Sequence, residues 1–136
     1  MANMSDYLEV ELRKHIFRTG SFTKPTVLAV ALFTVTPSDS GGGTEVTGGS
    51  YARVQRDPLD ANWTGASSTD GLTDNAAAIT FPTPSANWGT VVAFGIFDAT
   101  SGGNLLVWGP ITPNKTINNG DPAPAFATGA LDITFA

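Results

Sequence analysis

Two apolar segments, Thr90–Phe97 and Leu105–Ile111, lie on either side of a turn that contains two consecutive glycines. Gly102 and Gly103 can adopt positive φ without steric cost, so the pattern predicts a β-hairpin. Apolar residues occupy successive positions in both segments, and neither face of the hairpin is reserved for solvent. We therefore expect both faces to be covered, either by other elements of this chain or by a neighbouring subunit.

Strict alternation along the hairpin divides its large side chains between two faces. We expect one face to carry Val92, Phe94, Ile96 and Leu106, and the other to carry Val91, Phe97 and Trp108. Two glycines, Gly95 and Gly109, interrupt the strands. A residue without Cβ lets a large ring or another backbone approach closely, which is the expectation for both positions.

One segment near the start of the chain has a helical pattern. Its apolar residues recur every four positions, at Leu8, Leu12 and Ile16. This periodicity predicts an amphipathic helix over about residues 6–18. Asp6 stands three residues before Glu9, which predicts an N-cap and a capping box at this end. Gly20 predicts the end of the helix.

The chain from about residue 25 to residue 136 has the pattern of short strands separated by turns. Pro25–Val35 is apolar on both alternating faces, which predicts a buried strand. Shorter strands are expected at Tyr51–Arg56, at 76–81 and at the C-terminus, and Asp57 to Asn75 reads as a long polar loop. The pattern predicts an antiparallel β-sandwich or jelly-roll-like barrel with one short N-terminal amphipathic helix, in a single β domain of residues 1–136.

Charge and hydropathy narrow the range of partners. The net charge of −5 argues against nucleic acid, whose binding requires clustered Lys and Arg. The longest apolar run, Val27–Phe33, is far shorter than the ~20 residues that cross a bilayer, so no membrane partner is expected. The absence of cysteine excludes disulfides and thiolate metal sites.

Residues that could support catalysis or bind a metal are few. His15 is the sole histidine, and no G-x-S-x-G segment is present to supply a nucleophile for it. Asp57, Asp60, Asp70 and Asp74 lie in the long polar loop, where calcium is the one metal to consider, but their spacing does not fit an EF-hand loop. We expect no enzymatic activity, no cofactor and no bound metal.

Large aromatic side chains near the ends of the expected elements are the candidate interface residues, because such rings often anchor protein contacts. They are Phe17, Phe22, Tyr51, Trp63, Trp88 and Trp108. Ordinary packing in the core is the alternative for each of them.

Three segments resemble a known family: PTVLAVALFT (25–34), GTEVTGGSYAR (43–53) and ANWGTVVAFGIFDATSGGNLL (86–106). Their order and content are similar to small virion proteins of tailed bacteriophages. These proteins are commonly labelled tail fibre proteins, and some of them resemble capsid cement or decoration proteins. The resemblance implies a structural component of the phage particle.

Within this resemblance, the size and composition favour a capsid cement protein, since the chain has none of the repeats that build a fibre shaft. The expected partner is the major capsid protein, the expected oligomer is a homotrimer, and the expected location is the capsid surface after assembly in the host cytoplasm. A tail-associated protein (fibre, tip or adaptor component) and a receptor- or glycan-binding module remain as alternatives.

Overall fold

The computed structural model describes residues 2–65 and 69–135. One helix and ten strands follow in chain order: β1 (Asn3–Met4), α1 (Asp6–Phe17), β2 (Ala29–Val35), β3 (Thr44–Glu45), β4 (Val54–Gln55), β5 (Leu72–Thr73), β6 (Ile79–Thr80), β7 (Gly89–Phe97), β8 (Leu105–Ile117), β9 (Ala125–Phe126) and β10 (Ile133–Thr134). The strand pairs of the described residues are antiparallel. This confirms the expected class, a mainly β chain with one short helix.

Six of the strands form one sheet in the order β1–β8–β7–β2–β3. Strand β4 pairs with the same edge of β2 as β3 does, but at the opposite end of that strand. Two further pairs, β5 with β10 and β6 with β9, are ribbons of two residues per strand. Ribbons this short are not stable alone, so they depend on packing against the sheet.

The main core lies between one face of the sheet, the ribbons and the helix. It joins residues from Ala2 to Ile133, including Leu8 of α1, Val30 and Leu32 of β2, and Ile79 of β6. Each large apolar side chain that is buried there contributes about 1.5 to 3 kcal/mol relative to an exposed one. The ribbons and the helix are therefore held to the sheet by burial.

Strand β2 is covered on both faces, as its sequence predicts. Residues from Ala29 to Phe33 are at most 3 % exposed. Val30 and Leu32 face the main core, whereas Ala31 and Phe33 belong to a smaller apolar cluster on the other face of the sheet. The strand is central because β7 pairs with one edge while β3 and β4 pair with the other.

The hairpin is formed by β7 and β8, and the second of these strands continues to Ile117. The expected faces are wrong at two positions, because Val91 joins the main core and Val92 packs with the smaller cluster. The physical reason is a β-bulge between Val91 and Ala93, which adds a residue and shifts the alternation. The rings of Phe94 and Phe97 lie on opposite faces, as expected.

The N-cap of α1 is Ser5, and the expectation of Asp6 was wrong. The Oγ of Ser5 accepts a hydrogen bond from the Leu8 N–H at 3.2 Å and donates one to the Leu105 carbonyl at 2.5 Å. A serine that is 1 % exposed therefore satisfies a free helix N–H and also joins α1 to β8. Asp6 is the first helical residue, where its negative charge interacts favourably with the positive end of the helix dipole.

The predicted strand Tyr51–Arg56 is shorter in the structure, where only Val54–Gln55 is strand. The loop from Asp57 to Asn75 also contains structure that its polar sequence does not predict, since β5 lies within it. Within residues 2–65 and 69–135, no helix has the length and apolar character that crossing a bilayer requires.

Candidate interaction surfaces

Two of the six candidate interface rings pack together, Trp88 within the main core and Tyr51 against it. Trp88 is 5 % exposed, and its Nε1 donates a hydrogen bond to the Gly49 carbonyl at 2.9 Å. Tyr51 packs edge-on to Trp88, with ring centres 5.3 Å apart, and is stacked with Phe81. Both rings therefore contribute to the packing of the chain itself, Trp88 as a buried residue and Tyr51 as a partly buried one, and a role in binding stays a prediction for both.

Three more of the candidate rings are half-buried. Phe22 and Trp63 pack against the main core, and Trp63 Nε1 donates to the Arg56 carbonyl at 3.2 Å. Trp108 Nε1 donates to Asp39 Oδ1 at 3.1 Å. Each ring is thus oriented by the chain while part of it stays accessible, and a role in binding stays a prediction for all three.

Phe17 is the most exposed of the candidate rings. It is 78 % exposed at the end of α1, and the preceding Ile16 is 65 % exposed. We call these two side chains the helix knob. Four exposed cations lie on or just after the same part of the chain: Arg13, Lys14, Arg18 and Lys24. An exposed apolar pair among cations is a surface suited to another protein.

An apolar cavity of about 490 Å³ opens beside the start of α1. Its walls come from α1, from the β7–β8 hairpin and from the β5–β10 ribbon, and include Leu8, Leu72, Ile96, Leu106, Val107 and Ile133. Leu59, Phe135 and Trp63 also line it, and the first two are 58 % and 46 % exposed. Asp60, Thr64 and Thr73 supply polar groups. The volume is typical of a pocket that binds a ligand or a large side chain.

A charged network covers the smaller apolar cluster on the other face of the sheet. Arg53 binds Glu45 through two hydrogen bonds, from Nη2 to Oε2 at 2.7 Å and from Nε to Oε1 at 2.8 Å. Its Nη1 donates to the carbonyls of Ala99 and Gly102 in the hairpin turn. The Arg53 side chain is only 8 % exposed, so this bidentate pair is largely shielded from water.

Tyr51 extends this network into the main core. Its hydroxyl donates to Glu45 Oε1 and accepts from the Leu32 N–H, both at 3.0 Å. Burial raises the pKa of the Tyr51 hydroxyl well above its usual value, and the neighbouring Glu45 carboxylate adds to the rise. The side chain is therefore held as a neutral donor within the fold.

Two aspartates of the long loop accept hydrogen bonds from neighbouring groups of the chain. Asp57 accepts from Gln55 Nε2 at 2.8 Å, and Asp74 accepts from the Thr64 hydroxyl. Across the described residues, no three His, Cys, Asp or Glu side chains are grouped closely enough to hold a metal ion. Nothing in this geometry supports the calcium hypothesis.

The sequence named Phe17 as a candidate, but it predicted Ile16 in the apolar stripe of α1, whereas Ile16 is exposed. It predicted neither the cavity nor the Arg53–Glu45 pair. The cavity joins Leu8, Ile96 and Ile133, which are far apart in the chain and read as ordinary core residues. The signal that was available for Arg53 is its position within a short alternating segment beside an apolar strand, where a charge needs a partner.

The fold and its surfaces define a small antiparallel β protein with an exposed helix knob, an apolar cavity and a shielded charge network. The family model for the Podophage GP4 fiber I protein gp80 matches residues 3–134, and the chain belongs to this family. It is therefore a phage structural protein of the fibre type, associated with the virion, which confirms the family resemblance. A search of curated proteins gives no match.

Proposed function

We propose that the chain is a globular subunit of a phage tail fibre, present in several copies and held by contacts between protein surfaces. The match to a fiber protein family over residues 3–134 is the observation that carries this proposal. The exposed Phe17 and the open apolar cavity support it, because apolar surfaces of this kind are typical of contacts with other proteins.

Repetition makes modest contacts sufficient for such a role. A subunit that is tethered beside its neighbours binds at a high effective concentration, so each contact can be weak while the assembly is stable. The dense main core, which joins residues from Ala2 to Ile133, gives each copy a fixed shape on which such contacts depend.

A capsid cement protein is the second candidate, with the major capsid protein as partner and a homotrimer on the capsid surface. The observation that favours it is the arrangement of the described residues, which pack around one main core as a globular unit and not as an extended shaft. A globular unit with an exposed apolar helix end is suited to joining neighbouring shell subunits.

We also propose that the chain acts by binding alone, without catalysis and without nucleic acid or membrane partners. His15 supports this proposal, since its Nδ1 accepts a hydrogen bond from the Phe22 N–H at 3.2 Å. The imidazole thereby positions the segment that follows α1. The walls of the cavity are mostly aliphatic and aromatic, a lining that suits apolar side chains.

Quantitative mass spectrometry and immunogold labelling of purified particles test the location. A small number of copies, labelled only at the tail, is the expected result. Many copies spread over the head, measured against the major capsid protein, would support the cement role instead. Absence of the chain from purified particles would overturn both. Purified protein that blocks adsorption to host cells would favour receptor or glycan binding.

A further inference from the structure

The helix knob and the apolar cavity are separate surfaces of one chain. Phe17 follows Leu8 by nine residues, which places the two on opposite sides of α1 and roughly 14 Å apart along its axis. Leu8 lines the cavity, so the Phe17 ring of the knob lies on the side of α1 away from the cavity of its own chain. A knob on one copy is thus free to contact the cavity of another copy.

We propose that copies of this chain bind head to tail, with the helix knob of one copy seated in the apolar cavity of the next. The inference rests on the proposed role as a repeated subunit and names the contact between repeats. Ile16 and Phe17 are apolar and exposed, and the cavity is apolar and open. Seating one in the other removes both surfaces from water, which is favourable.

Charge favours this pairing over contact between two knobs. Residues 13–24 contain four Lys or Arg and no acidic residue, whereas residues 25–136 contain nine acidic residues and three Lys or Arg. Asp60 lines the cavity and is exposed, and Asp70 directly precedes Gly71, another lining residue. Lys14 is paired with Glu11, and Lys24 donates to the carbonyl of Pro58, which lines the cavity of its own chain. Arg13 and Arg18 beside the knob would therefore meet acidic groups at the cavity of another copy, while contact between two knobs would bring these like charges together.

The contact is heterologous, because it joins different surfaces of the two copies. Each copy offers a knob to one neighbour and a cavity to the other, so the contact builds a closed ring or an open row according to the rotation between copies. Both products keep the same pair of surfaces in contact. The expected homotrimer would be the ring of three.

Cysteine cross-linking tests the contact cleanly, since the chain has no cysteine of its own. Thr19→Cys places a thiol beside the knob and Ala61→Cys places one beside Asp60, at exposed positions that spare the contacting side chains. The two variants are purified separately, mixed and oxidised mildly. The expected product is a mixed disulfide that exceeds both homodimers and exceeds the product formed with Ser101→Cys, an exposed control in the hairpin turn.

Sedimentation equilibrium supplies a second measurement that needs no cysteine. Phe17→Ala is expected to weaken self-association about 10-fold or more, as truncation of an interface anchor does. Val35→Ala, at an exposed apolar position of β2, is the matched control and is expected to leave association unchanged. Added salt is expected to weaken the wild-type contact, because it screens the charge pairs.

A wild-type chain that stays monomeric, together with a mixture of Thr19→Cys and Ala61→Cys that forms no more mixed disulfide than the Ser101→Cys control, would overturn the head-to-tail contact. Dominant homodimers of Thr19→Cys would also overturn it, in favour of contact between knobs. These outcomes are measured on purified protein. Failure of the proposed function is seen separately, as absence of the chain from the particle.

Discussion

The guanidinium carbon of Arg53 lies 3.6 Å from the centre of the Phe97 ring. Phe97 is in turn stacked with Phe33, with ring centres 6.3 Å apart, so Arg53 covers the aromatic part of the smaller apolar cluster. The same guanidinium binds Glu45 and two carbonyls of the hairpin turn. One side chain thus joins β3, β4, β7 and the turn after β7 on the face of the sheet opposite the main core.

Replacing Arg53 is expected to destabilise the fold. Arg53→Ala leaves Glu45 without its partner and two turn carbonyls without a donor. Loss of a partner from a fully buried pair costs about 3 to 5 kcal/mol, and we expect about 2 to 3 kcal/mol because Glu45 is 25 % exposed. Urea unfolding followed by tryptophan fluorescence measures the change in the free energy of unfolding.

Two further variants make the Arg53 prediction specific. Arg53→Lys keeps the charge but loses the bidentate geometry, and it is expected to recover only part of the stability. Lys14→Ala removes the exposed pair with Glu11 and is expected to change the free energy of unfolding by less than about 0.5 kcal/mol. Equal losses for Arg53→Ala and Lys14→Ala would contradict a special role for the Arg53 network.

Asn75 joins the long loop to the C-terminal segment. Its side chain is fully buried, with Nδ2 donating to the carbonyls of Ala77 and Ala127 and Oδ1 accepting from the Leu131 N–H. Asn75→Ala leaves these three backbone groups without their partner. Each buried polar group that is left unpaired lowers the free energy of unfolding by about 1 to 3 kcal/mol. We expect thermal unfolding to show that Asn75→Ala lowers the free energy of unfolding by at least about 2 kcal/mol. The control is Asn114→Ala, at an exposed position, which is expected to leave this free energy almost unchanged.

The sequence predicted the elements whose pattern is local. Pro25–Val35 is apolar on both alternating faces, which predicts a covered strand, and its part from Ala29 to Val35 is the central strand of the sheet. The strand begins four residues later than predicted. Alternation could not predict the β-bulge after Val91, because a bulge depends on the register with β8. The N-cap was misplaced by one residue because Ser5 and Asp6 are both good caps, and the bond from Ser5 to the distant Leu105 selects between them.

The candidate sites also divide into those that a local pattern can indicate and those that depend on residues distant in the chain. Phe17 was a candidate interface residue from the sequence, and the structure shows that its ring is exposed at the end of α1, so its role in binding stays a prediction. The sequence could not assign Trp88 to the core. A buried indole N–H needs an acceptor, and the acceptor is the carbonyl of Gly49, which is distant in the chain. The cavity could not be predicted without the fold, because its walls come from residues that are far apart in the chain.

Gly95 is expected to tolerate no larger residue. A Cβ at this position would lie 2.9 Å from the Phe33 ring and 2.9 Å from Leu105 Cδ1, closer than packed atoms allow. Gly95→Ala should therefore lower the free energy of unfolding by about 1 to 3 kcal/mol, as overpacking does in a dense core. Urea unfolding measures the loss.

A double variant tests whether contact with the Phe33 ring causes the loss of stability in Gly95→Ala. Phe33→Leu removes part of the ring that meets the added methyl group. Combined with Gly95→Ala, it is expected to cost less than the two single changes added together, which is the sign of direct contact. Purely additive costs would show that the strain arises from a contact other than the Phe33 ring, and Leu105 is the other close neighbour.

Tyr51 is expected to make the fold sensitive to alkaline pH. Burial raises the pKa of this hydroxyl in the folded chain, while in the unfolded chain the pKa is near the ordinary tyrosine value of about 10. The folded state therefore holds the proton more strongly, so the Tyr51 contribution to stability is complete below about pH 10 and is lost as the pH rises above it. Unfolding in urea at a series of pH values from 8 to 11 measures this loss.

Tyr51→Phe separates this effect from other alkaline effects. At pH 8 the variant is expected to be less stable by about 1 to 2 kcal/mol, because the Leu32 N–H loses its acceptor and Glu45 loses a donor. Above about pH 10 its stability should fall less steeply than that of the wild type, since it has no proton to release at this position. Tyr7→Phe, at an exposed tyrosine of α1, is the control for the loss of a tyrosine hydroxyl as such. Parallel curves for the wild type and Tyr51→Phe would show that the alkaline loss arises from groups other than Tyr51.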